Sequence, residues 1–385
     1  MDFREDNDVE AITEAVSALC ARFDDDYWSK CDQEHRFPWD FYRCMAESGW
    51  VGIALPEEYG GGGRGVTEAA VVLRTVAASG GAMNACSALH LTIFGLNPVV
   101  KFGSERLRQE FLPRACTGEL HVAFGVTEPD AGTDTSRITT RADPDGNGGY
   151  LINGRKVWTS KALESEVVLL LARTGPGDGL RGLSLFLADL DRNHVDIRPI
   201  PKMGRNAVAS CEVFYDNLPV PGYRLIGNEG EGWKYILHGL NAERVLIAAE
   251  AIGIGDASLR RACDYARERE VFGRPIGANQ AIAHPLAQAY VQLQAAWQMT
   301  RLAAWRFDQG MECGEQANAA KYLAAEAGFF AADRAVQTLG GMGYATEYHV
   351  ERYFREARVM RIAPVSQEMT LNYVAQHVLG LPRSY

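Results

Sequence analysis

The sequence predicts an α+β fold in which a small β-domain separates two helical regions. Three observations carry this prediction. From about residue 8 to 118, apolar residues recur at three- and four-residue spacing, as in Val9, Ile12, Val16 and Leu19. Between about 119 and 222, short β-type runs alternate with turn chemistry. From about 231, long helical segments return and continue to Leu379, broken near Gly273-Arg-Pro275, Gly310 and Gly340-Gly-Met-Gly343. The expected domains are residues 1–118 (helical), 119–222 (β) and 223–385 (helical). Strands gathered between helices, rather than alternating with them, disfavour a Rossmann arrangement.

The elements follow in order. Pro56-Glu-Glu-Tyr-Gly-Gly-Gly-Gly-Arg-Gly65 is a loop joining two N-terminal helices, with periodicity resuming at Glu68 to Val76. No strand leads into its glycines and no Lys-Ser/Thr follows them, so it is not a phosphate-binding P-loop. In the β-region, Pro144-Asp-Gly-Asn-Gly-Gly149 and Gly175-Pro-Gly-Asp-Gly179 are turns. Asn153-Gly154 has the dipeptide of a tight hairpin between Tyr150-Leu-Ile152 and Arg155 to Thr159. Val167 to Leu171 and Leu183 to Leu187 read as buried strands. The weak GxG match in Gly253-Ile-Gly-Asp-Ala-Ser258 lies inside a helical stretch, which makes it a helix-packing feature.

Composition excludes several classes. With 385 residues, 47% of them hydrophobic and 23% charged, the chain can bury a substantial core. A net charge of −10 without a basic block argues against nucleic-acid binding. Eight cysteines occur without a CxxC pair and the histidines without a His-x-x-x-His pair, so no metal site or disulfide framework is expected. The opening Met1-Asp-Phe-Arg-Glu-Asp6 is acidic where a targeting peptide would be basic, and no apolar run is read as membrane-spanning. A cytoplasmic protein is the expectation.

The chemistry concentrates in Phe124-Gly-Val-Thr-Glu-Pro-Asp-Ala-Gly-Thr-Asp134 and Lys156-Val-Trp-Thr-Ser-Lys161. Thr127 offers a hydroxyl and an amide, Pro129 stiffens a turn, Gly132 permits close backbone approach, and Trp158 is a large flat surface beside the hydroxyls of Thr159 and Ser160. Together with Arg267-Glu-Arg-Glu-Val-Phe-Gly-Arg-Pro-Ile-Gly-Ala-Asn-Gln280 and Gln337-Thr-Leu-Gly-Gly-Met-Gly343, these segments resemble the ordered blocks of the acyl-CoA dehydrogenases over nearly the whole chain. The resemblance implies an N-terminal helical domain, a middle β-domain, a C-terminal four-helix bundle and an FAD cofactor. It assigns Phe124, Val126, Thr127, Gly132, Trp158, Ser160 and Ser366 to the flavin, and Thr133 to the place where flavin and CoA chains meet. It also implies that Arg269, Phe272, Gln280, Gln337, Gly340 and Gly341 reach the FAD of a neighbouring subunit in a homo-oligomer, a tetramer in most of the family.

One position departs from the pattern. Where many relatives carry the catalytic glutamate of a Tyr-Glu-Gly-Thr-Ser turn, this chain has Pro364, which cannot take a proton. A minority of the family, including isovaleryl-CoA and long-chain enzymes, places the base just before an arginine on an earlier helix. In Leu240-Asn-Ala-Glu-Arg244 the match identifies Glu243. Ile236, Leu240, Glu243 and Ile247 form an apolar stripe, so a carboxylate there is either paired or functional, and burial would favour a base of raised pKa. Arg244 points roughly 100° away around the helix and is a poor partner for it. Glu250, one heptad further on, is the second candidate for a base or a polar pocket residue; Glu128 and Glu368 rank lower.

The resemblance then implies α,β-desaturation of an acyl thioester borne by CoA or a carrier protein, with Asn241 and Arg244 touching the CoA or pantetheine arm. Electrons would pass to an electron-transferring flavoprotein. The alternatives are a flavin-dependent monooxygenase or oxidase of the same fold, or a catalytically silent thioester-binding protein.

Overall fold

The computed structural model describes residues 7–175 and 179–383. The acidic opening segment and the centre of the Gly175-to-Gly179 turn lie outside these residues. Seven helices come first: α1 (Asn7–Cys20), α2 (Asp25–Gln33), α3 (Trp39–Glu47), α4 (Val66–Val76), α5 (Ala82–Ile93), α6 (Asn97–Phe102) and α7 (Glu105–Cys116). Asp24 caps α2 by accepting the Tyr27 N–H at 2.9 Å, and Ser104 caps α7 by accepting that of Leu107 at 3.3 Å. The four-glycine loop folds back on the chain before it, Gly62 donating to the Gly52 carbonyl and Arg64 to that of Ile53, both at 2.9 Å. It delivers the chain to α4, whose first amides, Val66 and Thr67, donate at 2.8 and 2.9 Å to the carboxylate of Asp308, remote in sequence.

The stretch Val66–Phe102 is long and apolar enough to pass for a membrane span, contrary to the sequence expectation, but 72% of its most apolar window is buried inside the protein. It is a core segment: α4 and α5 are joined through a π turn, Ala77–Gly81, in which Gly80 adopts φ 106°.

Eight strands build the sheet: β1 (Val122–Gly125), β2 (Arg141–Pro144), β3 (Tyr150–Ser160), β4 (Val167–Arg173), β5 (Leu183–Asp189), β6 (Val195–Pro199), β7 (Ser210–Val220) and β8 (Leu225–Ile226). Their order is β6-β7-β3-β2-β4-β5-β8, with β1 parallel to β4. Strand β4 is aliphatic from Val167 to Ala172 because both of its faces are buried there. Val167, Leu169 and Leu171 join a core with α7 and the start of the next helix, while Val168, Leu170 and Ala172 join one with β3 and β7. Asn153-Gly154 is not a hairpin. Strand β3 runs straight through it with a register shift between Ile152 and Gly154. Gly154, at φ 151°, lies where a Cβ would meet the Thr140 Cα at 2.7 Å, so the glycine serves a bulge and a close approach. The hairpin turn is the neighbouring Asp145-to-Gly149 segment, closed by an Asp145 N–H bond to the Gly149 carbonyl at 3.0 Å.

Helices α8 (Gly232–Glu268), α9 (Gln280–Asp308) and α10 (Gly314–Leu339) pack on one another, α4 lies against α8, and α12 (Gln367–Tyr373) lies against α10. A shorter helix, α11 (Val350–Ala357), packs on α10 and α8. Between α8 and α9 stands a two-strand hairpin, β9 (Glu270–Val271) and β10 (Arg274–Pro275), turning at Phe272-Gly273 with φ of 56° and 76°. The GxG glycines do pack helices. A Cβ on Gly253 would stand 2.4 Å from the Arg74 carbonyl oxygen in α4, and one on Gly328 of α10 would stand 2.3 Å from that of Ala251. Gly253→Val should therefore overpack the α4–α8 contact and cost about 1–3 kcal/mol or more. Urea unfolding checks this, and an unchanged midpoint would contradict such a close approach.

Candidate active site

The turn that leaves β1 is held by a buried ion pair. Lys156, fully buried in β3, donates to Glu128 Oε1 at 2.8 Å and to the Val126 carbonyl at 3.0 Å. Glu128 also accepts the Thr139 N–H and hydroxyl at 2.7 and 2.8 Å and the Thr140 N–H at 2.9 Å. Burial would raise the Glu128 carboxyl, but the Lys156 charge and these donors outweigh it and bring it down to about 2. A carboxylate so satisfied is a strut for the turn. That is the physical reason for its low rank as a base.

Strand β3 is connected to the same turn by the Val157 N–H bond to the Thr127 carbonyl at 2.9 Å. A second register shift, between Lys156 and Thr159, bulges β3 at Trp158, which takes φ 60°. Bulges re-aim side chains, and here the indole is 55% exposed, an unusual state for so large an apolar side chain. It borders an open cleft of about 590 Å³ lined also by Thr127, Pro129, Gly132, Arg198 and Ile200. Thr133 is exposed just beyond it. Ser160 ends the strand, its Oγ accepting from Arg205 at 3.0 Å. Phe124 and Val126 pack in the same apolar cluster as Leu240, one turn before Glu243, which brings the β1 turn and α8 together.

Glu243 has a partner that sequence reasoning missed. His90 on α5 meets Glu243 Oε2 through Nε2 and Glu250 Oε1 through Nδ1, the latter at 2.7 Å. Burial would discharge the imidazole, yet the two carboxylates outweigh it and raise His90 well above the ordinary histidine range. Glu250 is 0% exposed, whereas the Glu243 side chain is 24% exposed and is the member of the trio open to a ligand. Arg205, part-buried against Ser87, Ser160 and Ser210, faces Glu250 as a second cation. The sequence signal was available in principle, since two acids one heptad apart on an apolar stripe need a buried donor, and His90 is the polar interruption of Ala88-Leu-His-Leu91. Arg244 turns the other way. Its guanidinium donates to Asn241 Oδ1 at 3.0 Å and lies near Tyr373 and Cys313, with burial lowering its pKa.

The remaining predicted residues do not line the cleft of their own chain. Arg269 and Gln280 flank the β9–β10 hairpin and are exposed, and Phe272 at its tip is 100% exposed. Gln337, Gly340 and Gly341 form an exposed group at the end of α10 beside Tyr344. Pro364 is exposed, and Ser366 caps α12 by accepting the Met369 N–H at 3.4 Å. Glu368 is exposed in the first turn of α12, where hydrogen bonds from its own backbone N–H and from the Ser366 hydroxyl lower its pKa.

The chain is matched along nearly its whole length by three domain families: acyl-CoA dehydrogenase N-terminal domain over residues 6–119, middle domain over 123–218 and C-terminal domain over 230–379. Acyl-CoA dehydrogenase FadE12 of Mycobacterium tuberculosis is 39% identical over 389 residues, covering 100% of this chain and 99% of that one. The structure of a glutaryl-coenzyme A dehydrogenase glutaryl-CoA complex superposes with a TM-score of 0.93 at 31% identity, covering 100% of this chain and 98% of the other. Butyryl-CoA dehydrogenase from Megasphaera elsdenii gives 0.94 at 27% identity, covering 98% and 100%.

The Glu128–Lys156 strut has a pH signature. Its folded-state carboxyl titrates below the ordinary value of 4.5, so the pair stabilises the fold above that pH and loses this contribution as pH falls from 4.5 towards 2. Glu128→Ala leaves Lys156 buried and unpaired and should cost about 3–5 kcal/mol, part of which Lys156→Met restores in the double variant. Urea unfolding across the acid range is the measurement. A Glu128→Ala protein as stable as the parent at neutral pH would refute the strut.

Proposed function

This chain belongs to the acyl-CoA dehydrogenase family of FAD-dependent oxidoreductases acting on CH–CH donors, and on that footing we propose that it desaturates an acyl thioester between its α- and β-carbons. The carrying observation is Glu243, a partly exposed carboxylate on α8 one turn beyond Leu240, which shares a cluster with Phe124 and Val126 of the β1 turn. Glu243 takes the α-proton. FAD, when bound, supplies the acceptor for the hydride that leaves the β-carbon. The product is a trans-2-enoyl thioester, and the electrons go on to an electron-transferring flavoprotein.

The residues fit such a cofactor. The exposed Trp158 offers an aromatic wall to the cleft, Thr127 and Ser160 offer hydroxyls, and Gly132 leaves open space where a Cβ would stand. Arg269, Phe272, Gln280, Gln337, Gly340 and Gly341 complete the site of a neighbouring copy in a homotetramer. Supporting this, a fully exposed phenylalanine on a hairpin tip beside an arginine fork is costly in a lone chain and useful at a shared pyrophosphate. Asn241 and Arg244 position the thioester arm, and donors to its carbonyl acidify the α-carbon.

Two outcomes test this reading. Glu243→Gln should retain FAD and bind acyl-CoA but lose anaerobic flavin bleaching by on the order of 10²-fold or more, while Glu368→Ala changes it modestly. Stopped-flow with short, branched and long acyl-CoA thioesters measures both; bleaching of Glu243→Gln at the parent rate removes Glu243 as the base. Arg269→Ala should release FAD and weaken the oligomer, because a ligand held only by the assembly stabilises it. Full flavin occupancy in a monomeric parent protein, by sedimentation and absorbance, would exclude sharing.

A further inference from the structure

The carboxylate assigned as the base is one end of a closed chain, Glu243–His90–Glu250, in which each imidazole nitrogen meets a different carboxylate. A neutral imidazole carries a single N–H, so two carboxylate contacts require an additional proton within the trio. The surroundings make this arrangement rigid. Residues Ala82 to Leu89 of α5 are all buried, as are Thr92 and Ile93 after His90. Glu250 is wholly buried at the far end, and its second oxygen has no hydrogen-bond partner among the described residues. Around the trio, Arg205, from the β6–β7 connection, faces Glu250, the neutral Cys86 thiol on α5 lies near the same carboxylate, and Glu356 of α11, which accepts the Met83 N–H of α5, lies near both Arg205 and Cys86. Ligands can approach from the Glu243 end, because that side chain keeps some exposure.

We infer that His90 is a positioning residue for the base: its Nε2–H grips one oxygen of Glu243 so that the other, Oε1, takes the α-proton, and Glu250 anchors the ring from behind. This rests on Glu243 being the base. Without a grip, a glutamate on a helix has three free rotors and reaches the productive geometry only part of the time. With it, the carboxylate is fixed between α5 and α8 before substrate arrives. The proton moves from the α-carbon to Glu243 Oε1, and no bond on His90 is made or broken. Glu250, which has no access to substrate, acts through the ring and not on the thioester. A wholly buried carboxylate is costly, and anchoring the ring gives it a role beyond packing. Arg205 joins this arrangement to the cofactor side, since it faces Glu250 and also donates to Ser160 Oγ.

The test uses the flavin-loaded oligomer with the best acyl-CoA, reading the anaerobic bleaching rate at saturation and the acyl-CoA dissociation constant separately. His90→Ala should slow bleaching by on the order of 10-fold to 10²-fold with little change in dissociation constant. Added imidazole should then restore the rate in a saturable manner, which a packing defect would not show. His90→Gln, whose amide can donate to Glu243, should lie between His90→Ala and the parent. Bleaching of His90→Ala at the parent rate, or slowed bleaching that imidazole leaves unchanged, overturns the assignment. Should His90→Ala fail to fold, Glu250→Gln decides: a several-fold slower rate with unchanged substrate binding supports the anchor, and a parent rate overturns it. Glu243→Gln run alongside separates the two readings. If it is inert while His90→Ala is normal, the base stands and the positioning role falls; if it bleaches normally, the base assignment itself fails.

Discussion

The site depends on one constraint, the unbroken course of α8 from Gly232 to Glu268. This helix leaves the β-sheet, crosses the cluster that holds Phe124 and Val126, and then enters the helical core with Ala242, Val245 and Leu246. Glu243 lies at that crossing. Its position is fixed by backbone-to-backbone closeness further along the helix, at Gly253 against α4 and at Ala251 against Gly328 of α10. Side chains can repack, but a helix held at carbonyl distance from two neighbours has little room to shift.

A polar seam then registers the β-domain against α5. Lys161, buried at the end of the Trp158 segment, donates to the Ala88 carbonyl at 2.9 Å and to Thr92 Oγ1 at 3.1 Å. Burial lowers its pKa to about 7, and its ammonium also lies 4.7 Å from the centre of the Tyr42 ring. Arg205 spans the same seam from Ser160 to Ser87. Residues two and three positions before His90, and one two positions after it, are therefore tied to the strand that carries Trp158 and Ser160. The base and the expected cofactor wall share one frame although no single helix carries both.

Most of the fold was legible because burial leaves a pattern: an unbroken aliphatic run in β4, three- to four-residue spacing in α1 and α4, and turn residues between. The Glu243 assignment was legible because an acid in an apolar stripe demands explanation and because Pro364 excludes the usual place. Other features were not. Asn153-Gly154 has the composition of a hairpin turn, and only the closeness of Thr140 and the pairing with β7 show that it is a bulge. His90 escaped notice because its meaning comes from Glu243 and Glu250, more than 150 residues away: a lone polar interruption in an apolar helix does not by itself say which groups it meets. The apolar Val66–Phe102 stretch likewise becomes a core element only when α8 and α9 cover it.

The break between α4 and α5 carries a consequence for how the chain folds. At the π turn the helix ladder is interrupted, and the backbone groups it frees are met by α11: Arg352 donates to the Gly80 carbonyl at 2.8 Å, and Glu356 accepts the Met83 N–H at 2.6 Å, its other oxygen taking the Asn84 side-chain amide at 2.8 Å. These partners are separated by more than 270 residues of sequence. The N-terminal helices thus hold buried backbone groups that stay unsatisfied until α11 has been made. Contacts of such high contact order close late and tie early and late segments into one cooperative unit. A nascent chain in which α11 has not yet been made would present an incompletely hydrogen-bonded, largely apolar core segment to its surroundings, which is the condition under which chaperone capture or aggregation competes with folding.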